Sequence, residues 1–263
     1  MKTSLLYLSL ITLALLGCKE AKTNQDDSKT EDIAQTSEEV TTEFEITPIS
    51  HATSMFKLDS KVFYTDPVGG AEAFDGQPSP DLILVTDIHG DHFNLETLEA
   101  VSTSETKIIV PQAVADQMEG ELTSQLVILK NEESKTIDGF KIEGVAMYNQ
   151  GDQDEVRHVK GRGNGYVIEK GGMRIYFSGD TEAVPEMRAL KNIDKAFVCM
   201  NLPYTMSVDA AAEGVLAFQP KEVYPYHYRG QGGLADVEKF KNLVDEGKKD
   251  IQVELLNWYP TAE

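Results

Sequence analysis

The chain has 263 residues, of which 41% are hydrophobic, enough for one large domain or two small ones with a sizeable core, so a wholly disordered chain is excluded. Forty-four acids against 24 bases give a formal charge of -20. A surface of this sign repels phosphate backbones and releases no counterions on meeting them, which argues against DNA or RNA as a partner.

Lys2 begins the chain with a positive charge, Ser4 to Leu16 is an apolar run too short for an ordinary membrane-spanning helix, and Gly17-Cys18 follows. This pattern predicts a processing segment and export from the cytoplasm. Leu15-Leu16-Gly17-Cys18 resembles the lipobox of bacterial lipoprotein signal peptides, which implies lipidation of Cys18 and a membrane-anchored protein of the bacterial cell envelope. From Lys19 to Glu43 the chain carries eight acids, three bases and almost no large apolar residue. Such a stretch cannot bury enough surface to offset the entropy of ordering, so residues 19–43 are expected to act as a disordered acidic tether. Residues 44–263 are expected to form one domain.

From Phe44 onward short β-rich runs alternate with helical patterns. Strands are predicted at Phe44–Ile49, Lys61–Thr65, Leu82–Thr86, Lys107–Val110, Gln125–Leu129, Phe140–Met147, Gly165–Glu169, Met173–Phe177, Lys195–Cys199 and Glu222–Tyr226. Helices are predicted at Asn94–Val101, Pro111–Gln117, Ala183–Ala189, Ser207–Ala217 and Ala235–Glu246, the last with Val237, Phe240, Leu243 and Val244 on one face. Gly171-Gly172 between two strand runs signals a two-residue hairpin. Hairpin-like pairs early and βα units late indicate an α/β protein with mixed sheets. Cys199, inside the apolar strand Lys195–Cys199, reads as a core thiol, and neither cysteine has a metal-type or disulfide spacing.

The strand at Leu82 ends in Asp87-Ile88-His89-Gly90-Asp91-His92, four potential metal ligands within six residues. Neutral imidazoles and anionic carboxylates together suit zinc or a somewhat harder ion such as manganese or iron. Gly90 lets the backbone turn the two halves of the cluster towards different metals. The chain has five histidines, and further candidates also stand near strand ends: His158, Asp180 and His227.

This order of residues resembles the metallo-β-lactamase superfamily, whose signature is His-x-His-x-Asp-His followed by a distant histidine, a Gly-Asp-Thr-like aspartate and a final histidine. The resemblance covers nearly the whole domain, and Ser178-Gly179-Asp180-Thr181 matches closely. It implies a four-layer αββα sandwich of two mixed sheets flanked by helices. It also implies two divalent ions, zinc first and manganese or iron as alternatives. Asp87, His89 and His158 would form one ligand set, Asp91, His92 and His227 the second, and Asp180 would bridge them. Ile49-Ser50-His51-Ala52-Thr53 and Phe63-Tyr64-Thr65-Asp66-Pro67 resemble shorter elements of the branch that includes ascorbate-phosphate lactonase and the phospholipase D of N-acyl ethanolamine lipids. His51 could approach the site or serve as a structural histidine. Asp87 stands where the superfamily has a histidine, and its harder oxygen should favour manganese or iron relative to zinc at that position.

The implied activity is hydrolysis of an ester, lactone or phosphodiester by a metal-activated hydroxide. Asp91 or Asp180 would orient the water, and His51, Tyr228 or bound water would protonate the leaving group. Arg157, Lys160, Arg162 and Arg229 flank His158 and His227 in an otherwise acidic chain. With Tyr228, the arginines are the candidate contacts to a small substrate carrying a phosphate or carboxylate. The alternative is a lipoprotein that captures a metal or ligand without turnover. A β-lactamase is less attractive than the lactonase-like reading.

Overall fold

The computed structural model describes residues 42–260; Cys18, the leader and nearly all of the expected tether lie outside the described residues. Strands β1 (Phe44–Ser50), β2 (Thr53–Leu58), β3 (Lys61–Thr65), β4 (Leu82–Leu84), β5 (Lys107–Val110) and β6 (Leu126–Ile128) form a six-stranded sheet in that order. Its first three strands are antiparallel neighbours and its last three join in parallel. The second sheet has β7 (Ser134–Ile137), β8 (Phe140–Met147), β9 (Gly163–Lys170), β10 (Met173–Phe177), β11 (Lys195–Cys199) and β12 (Glu222–Tyr226). A short hairpin of β13 (Arg229–Gly230) and β14 (Gly233–Leu234) follows, and β15 (Gln252–Val253) closes the second sheet in the order β15-β12-β11-β10-β9-β8-β7.

Alternation along the strands builds the layers. In the first sheet Phe63, Leu82, Leu84 and Ile109 face one core, while Tyr64, Ile83, Ile108 and Val110 belong to another with Leu98 of α1 (Leu95–Val101) and Val114 of α2 (Gln112–Ala115). The larger core lies between the sheets. A column of aromatic rings crosses it, with Phe63 on Phe56 at 4.7 Å, Phe56 on Phe177 at 5.2 Å, Phe177 on Phe197 at 4.4 Å and Phe197 on Tyr224 at 4.7 Å. Each stacked pair adds roughly 0.5–1.5 kcal/mol beyond the area it buries. On the far side of the second sheet lie α3 (Pro185–Arg188), α4 (Val208–Phe218) and α5 (Val237–Gly247), which bury Met187, Val215, Phe218, Phe240 and Val244. The result is the expected sandwich of two mixed sheets flanked by helices.

Boundaries differ where local chemistry overrides periodicity. The helix expected at Ala183–Ala189 starts only at Pro185, because a residue before proline is driven out of helical geometry and Val184 is extended at ψ 160°. The Gln125–Leu129 run begins as a 3-10 turn, Glu121–Gln125, before β6. The predicted strands do not include β2, β7 or the two-residue strands β13, β14 and β15. β2 is buried on both faces apart from Lys57 and so lacks alternation; β7 is mostly exposed and polar, but Asp138-Gly139, both left-handed, make a two-residue hairpin turn into β8 that is legible as a sequence signal. Gly171-Gly172, at φ 56° and 84°, form the expected hairpin turn between β9 and β10.

Candidate metal centre

The ligand candidates converge from five separate stretches. Asp87 to His92 follow β4, His158 lies in the loop between β8 and β9, Asp180 follows β10, His227 follows β12, and His51 occupies the turn between β1 and β2. The turn after β4 is tight, with the amides of His92 and Phe93 both donating to the His89 carbonyl. Asn94 then caps α1 by accepting from Thr97 N–H at 2.8 Å. The helix start thus pins the end of the ligand loop.

Among the described residues, three groups of side chains bring ligand atoms within 4.8 Å of one another: Asp87, His89 and His158; His92, Asp180 and His227; and His51, Asp91 and His227. Asp180 links the first two. Its Oδ2 lies 3.1 Å from His158 Nε2 and 3.3 Å from His92 Nε2, and its Oδ1 lies 3.0 Å from His227 Nε2. Asp87 Oδ2 lies 2.7 Å from His89 Nδ1 and 4.0 Å from His158 Nε2. Asp91 Oδ2 is 3.6 Å from His227 Nε2, and its Oδ1 is 3.9 Å from His92 Nε2.

His92 and His158 are each turned by a partner behind the ring. His92 Nδ1 donates to Asp66 Oδ2 at 2.8 Å, and Asp66 also accepts from Thr86 N–H and Thr86 Oγ1–H, each at 2.7 Å. The proton therefore sits on Nδ1 and Nε2 points into the cluster, the arrangement that orients a metal-binding histidine. His158 Nδ1 donates to Asn149 Oδ1 at 2.9 Å, which also accepts the His158 N–H. That again leaves Nε2 facing inward. His227 Nε2 is met by Asn201 Nδ2 at 3.2 Å and by His92 Nε2 at 3.2 Å.

These contacts fit a bound cation better than a self-sufficient hydrogen-bond network. Nε2 of His158 and Oδ1 of Asp180 are buried without a hydrogen-bond partner among the described residues despite their close neighbours, whereas buried polar atoms are rarely left so. Electrostatics agree. Burial would lower His92, but Asp180 and Asp66 outweigh it and hold its pKa well above the usual imidazole range. Burial would likewise raise Asp180, but His227, His92 and His158 drive it well below the ordinary carboxylate value. Asp87 is lowered to about 2, burial being overcome chiefly by His89, His92 and Arg162. Burial lifts Asp66 above its ordinary range, against the charge that His92 calls for; the three donors aimed at its two oxygens decide for a carboxylate. The carboxylates that favour a proton on His92 would equally favour a cation in its place, and imidazoles in their neutral form together with carboxylates are the donor set of zinc, manganese or iron.

His51 stands beside the second group. Its Nε2 is 3.4 Å from Asp91 Oδ2, its Nδ1 is 2.7 Å from the Tyr259 hydroxyl, and its ring meets that of His227 edge-on at 3.9 Å. Burial lowers its pKa against the opposing pull of Asp91. The neutral ring then donates from Nε2 to Asp91 and accepts the Tyr259 hydroxyl at Nδ1. Tyr259 itself accepts from Arg229 N–H at 3.0 Å.

A cavity of about 240 Å³ opens on the cluster, with His89, Asp91 and Asp180 on its floor and Asn201, Tyr204, Arg157 and Arg229 around it. Both arginines are propped on aromatic faces, Arg157 at 4.7 Å from the Tyr204 ring centre and Arg229 at 4.4 Å from that of Tyr259. The other expected substrate contacts are corrected. Arg162 is held by Asp87 Oδ1 at 3.0 Å and Oδ2 at 2.8 Å and does not line the cavity. Tyr228 is buried with its hydroxyl donating to the Leu256 carbonyl, because His227 turns with positive φ towards the ligands and sends the next side chain onto Tyr259. Lys160 pairs with Glu186 at 2.5 Å, away from the cavity. Sequence reasoning missed Asp66, Asn149, Asn201 and Tyr259. Only Asp66 left a signal, as part of the Thr65-Asp66-Pro67 element whose role was not assigned.

The β-lactamase superfamily domain matches residues 45–227 of this chain. The UPF0173 metal-dependent hydrolase of Thermococcus onnurineus is 32% identical over 198 residues, which cover 72% of this chain and 87% of that protein. The crystal structure of a protein from Parabacteroides distasonis described as a metal-dependent hydrolase superposes with a TM-score of 0.72 at 35% identity, covering 81% of this chain and 93% of the other. A metallo hydrolase from Ignicoccus hospitalis shares the fold at 21% identity, with a TM-score of 0.68 over 82% of this chain and 96% of its own. With its fold, its ordered ligand set and these relatives, the chain belongs to the β-lactamase superfamily, among its metal-dependent hydrolases.

Proposed function

We propose that this protein hydrolyses an ester, lactone or phosphodiester of a small anionic molecule, working at the bacterial cell envelope from a lipid anchor on Cys18. The observation that carries the chemical reading is the pair of ligand groups joined through Asp180 at the floor of an open cavity. Divalent ions held by Asp87, His89 and His158 and by Asp91, His92 and His227, with zinc ahead of manganese or iron, would supply an activated water and polarise the scissile group.

The protein's own groups do the rest. Arg157 and Arg229 sit where they can meet a carboxylate or phosphate on the substrate, and the aromatic faces beneath them limit their motion. Asn201 has its amide at the cavity wall, directed at His227, where it can steady a developing oxyanion. His51, linked to Asp91 on one side and Tyr259 on the other, is the group placed to pass a proton to a leaving oxygen. Asp91, with its side chain 42% exposed, is the ligand that incoming substrate meets first. A pure capture site can be closed, whereas this one is open, which favours turnover over mere binding.

The test pairs elemental analysis with turnover on the chain from Lys19 to Glu263. About two transition-metal ions per chain, together with hydrolysis of lactone, ester or bis-aryl phosphodiester probes that disappears in His227→Ala, is the expected result. Metal uptake with no turnover on any probe class would replace the hydrolase reading with the binding lipoprotein. For the envelope location, Cys18→Ser should release the protein from membranes, and unchanged membrane retention would remove that part of the proposal.

A further inference from the structure

Asp87 is the position at which the ligand pattern departs from its superfamily, and its surroundings differ in kind from those of the other ligands. Its carboxylate is inaccessible to solvent and receives Arg162 in a fork, Nε to Oδ1 at 3.0 Å and Nη2 to Oδ2 at 2.8 Å. The third arm, Nη1, donates to the carbonyl of Arg157 at 2.8 Å. One guanidinium therefore ties the strand end that carries Asp87 to the loop that carries His158. The backbone is also packed tightly here. A Cβ placed on Gly163 would come within 2.7 Å of the Thr86 carbonyl and 3.2 Å of Asp87 Oδ1, so the residue after Arg162 has to be glycine for the loop to pass.

We infer that Arg162 is a positioning residue for Asp87 that makes the Asp87–His89–His158 group the weaker of two divalent-ion sites, so that the Asp91–His92–His227 group fills first. The inference rests on the reading that both groups hold divalent ions. A carboxylate oxygen has room for two partners. The fork takes one position on each oxygen and leaves one on Oδ2, on the side of His89 Nδ1 and His158 Nε2, where a cation shared with them would sit. The geometry of ligation is thus preserved while the charge is not. A fixed positive charge bonded to the ligating carboxylate opposes a second cation beside it, and burial reduces the screening that would soften this opposition. The other group has the reverse arrangement, since the side chain behind His92 is the Asp66 carboxylate.

The experiment is a titration of the metal-free full chain with zinc alone against a chromophoric chelator, repeated with manganese, and it reads affinity without reference to activity. Wild type should take up zinc in two steps separated by about tenfold or more. Arg162→Met should tighten the second step about tenfold while the first stays within about threefold. Removing a merely structural side chain would not strengthen binding, so weakening or loss of the second step in Arg162→Met would overturn the inference. Two indistinguishable steps in wild type would do the same. Arg162→Met leaves Asp87 buried without its cation and could fail to fold. The double variant Asp87→Asn with Arg162→Met keeps the shape without the charges, and should melt near wild type, lose the second step and retain the first. Loss of both steps from this folded variant would overturn the independence of the two groups. No zinc or manganese uptake by folded wild type would overturn the metal reading itself, and this inference with it; uptake without the predicted asymmetry overturns this inference alone.

Discussion

The two halves of the candidate metal centre are built with opposite signs. Around His92 the inward-facing group is a neutral imidazole and the group behind it is a carboxylate, Asp66. Around Asp87 the inward-facing group is a carboxylate and the group behind it is a guanidinium, Arg162. With His92 neutral the first pair sums to one negative charge and the second to none: the first offers a basic nitrogen strengthened by its partner and the second an oxygen weakened by its partner. An aspartate in a histidine's ligand position thus comes with a cation behind it where the histidine has a carboxylate, so the group behind the ligand changes sign together with the ligand.

The largest effect should come from the residue that both halves share. Asp180→Ala removes the carboxylate that approaches His158, His92 and His227 and leaves their Nε2 atoms facing one another. Metal content should fall at both sites and kcat/KM should drop by roughly a thousandfold, a loss of about 4 kcal/mol of transition-state stabilisation. Elemental analysis beside steady-state kinetics checks this. A loss confined to one ion would show that Asp180 serves one half only and that the halves are not coupled through it.

Next in size is the partner behind His92. Asp66→Asn keeps the shape but offers an amide to His92 Nδ1 and to both Thr86 donors, so the ring is free to turn or to change tautomer. Loss of such a group costs about 10–100-fold in metal affinity. The loss should fall on the His92 half, with binding at the Asp87 half within a few-fold of wild type. Equal weakening of both halves would mean that Asp66 supports the fold of the loop rather than the aim of one ring.

A smaller effect separates the cavity wall from its floor. Arg157→Ala and Arg229→Ala each leave the ligand contacts untouched and remove a cation that stands over Tyr204 or Tyr259. For an anionic substrate each should raise KM by about tenfold with kcat nearly unchanged, the signature of binding lost equally in ground and transition states. A neutral ester should be affected little by either. Equal effects on anionic and neutral probes would remove the anion from the substrate description.

Much of the fold was legible because strands and ligands write themselves in local patterns. Apolar runs such as Leu82–Leu84 and Lys195–Cys199 end near the residues that matter, and Asp87 to His92 lie within a single turn of chain. What was not legible is the set of pairings across the sheets. Arg162 and Asp87 are separated by 75 positions, His51 and Tyr259 by 208, and Asn149 reaches its histidine through a loop with no regular pattern. Arg162 illustrates the difficulty. Its charge beside His158 suggested a substrate contact, yet the nearest unmet demand was a buried carboxylate that only folding brings alongside. Tyr228 failed for a different reason. The left-handed backbone at His227 reverses the facing of the side chain that follows, and although histidine enters that conformation more readily than most residues, its presence alone does not announce it.

The smallest expected effect concerns stability rather than catalysis, and it isolates the Asp87 half in the metal-free protein. The Asp87 carboxyl is lowered to about 2 in the folded chain, with burial resisting and His89, His92 and Arg162 prevailing. An unfolded aspartate titrates near pH 4. A carboxyl whose folded pKa is depressed stabilises the folded state above its unfolded pKa, and the contribution is lost as pH falls through the folded value. The window for Asp87 therefore runs from about pH 4 down to about pH 2, and the stability at stake is on the order of 2 kcal/mol. Asp87→Asn cannot titrate. Its deficit relative to wild type, measured by urea unfolding in the presence of a chelator, should be greatest near pH 6 and shrink as the pH is lowered through this window. Asp180 is depressed as well and steepens the acid slope of both proteins, so the difference between them, rather than either curve, carries the information. A deficit that stays constant with pH would mean that Asp87 is held by packing and hydrogen bonds alone, and that the reversal of sign between the two halves has no energetic weight.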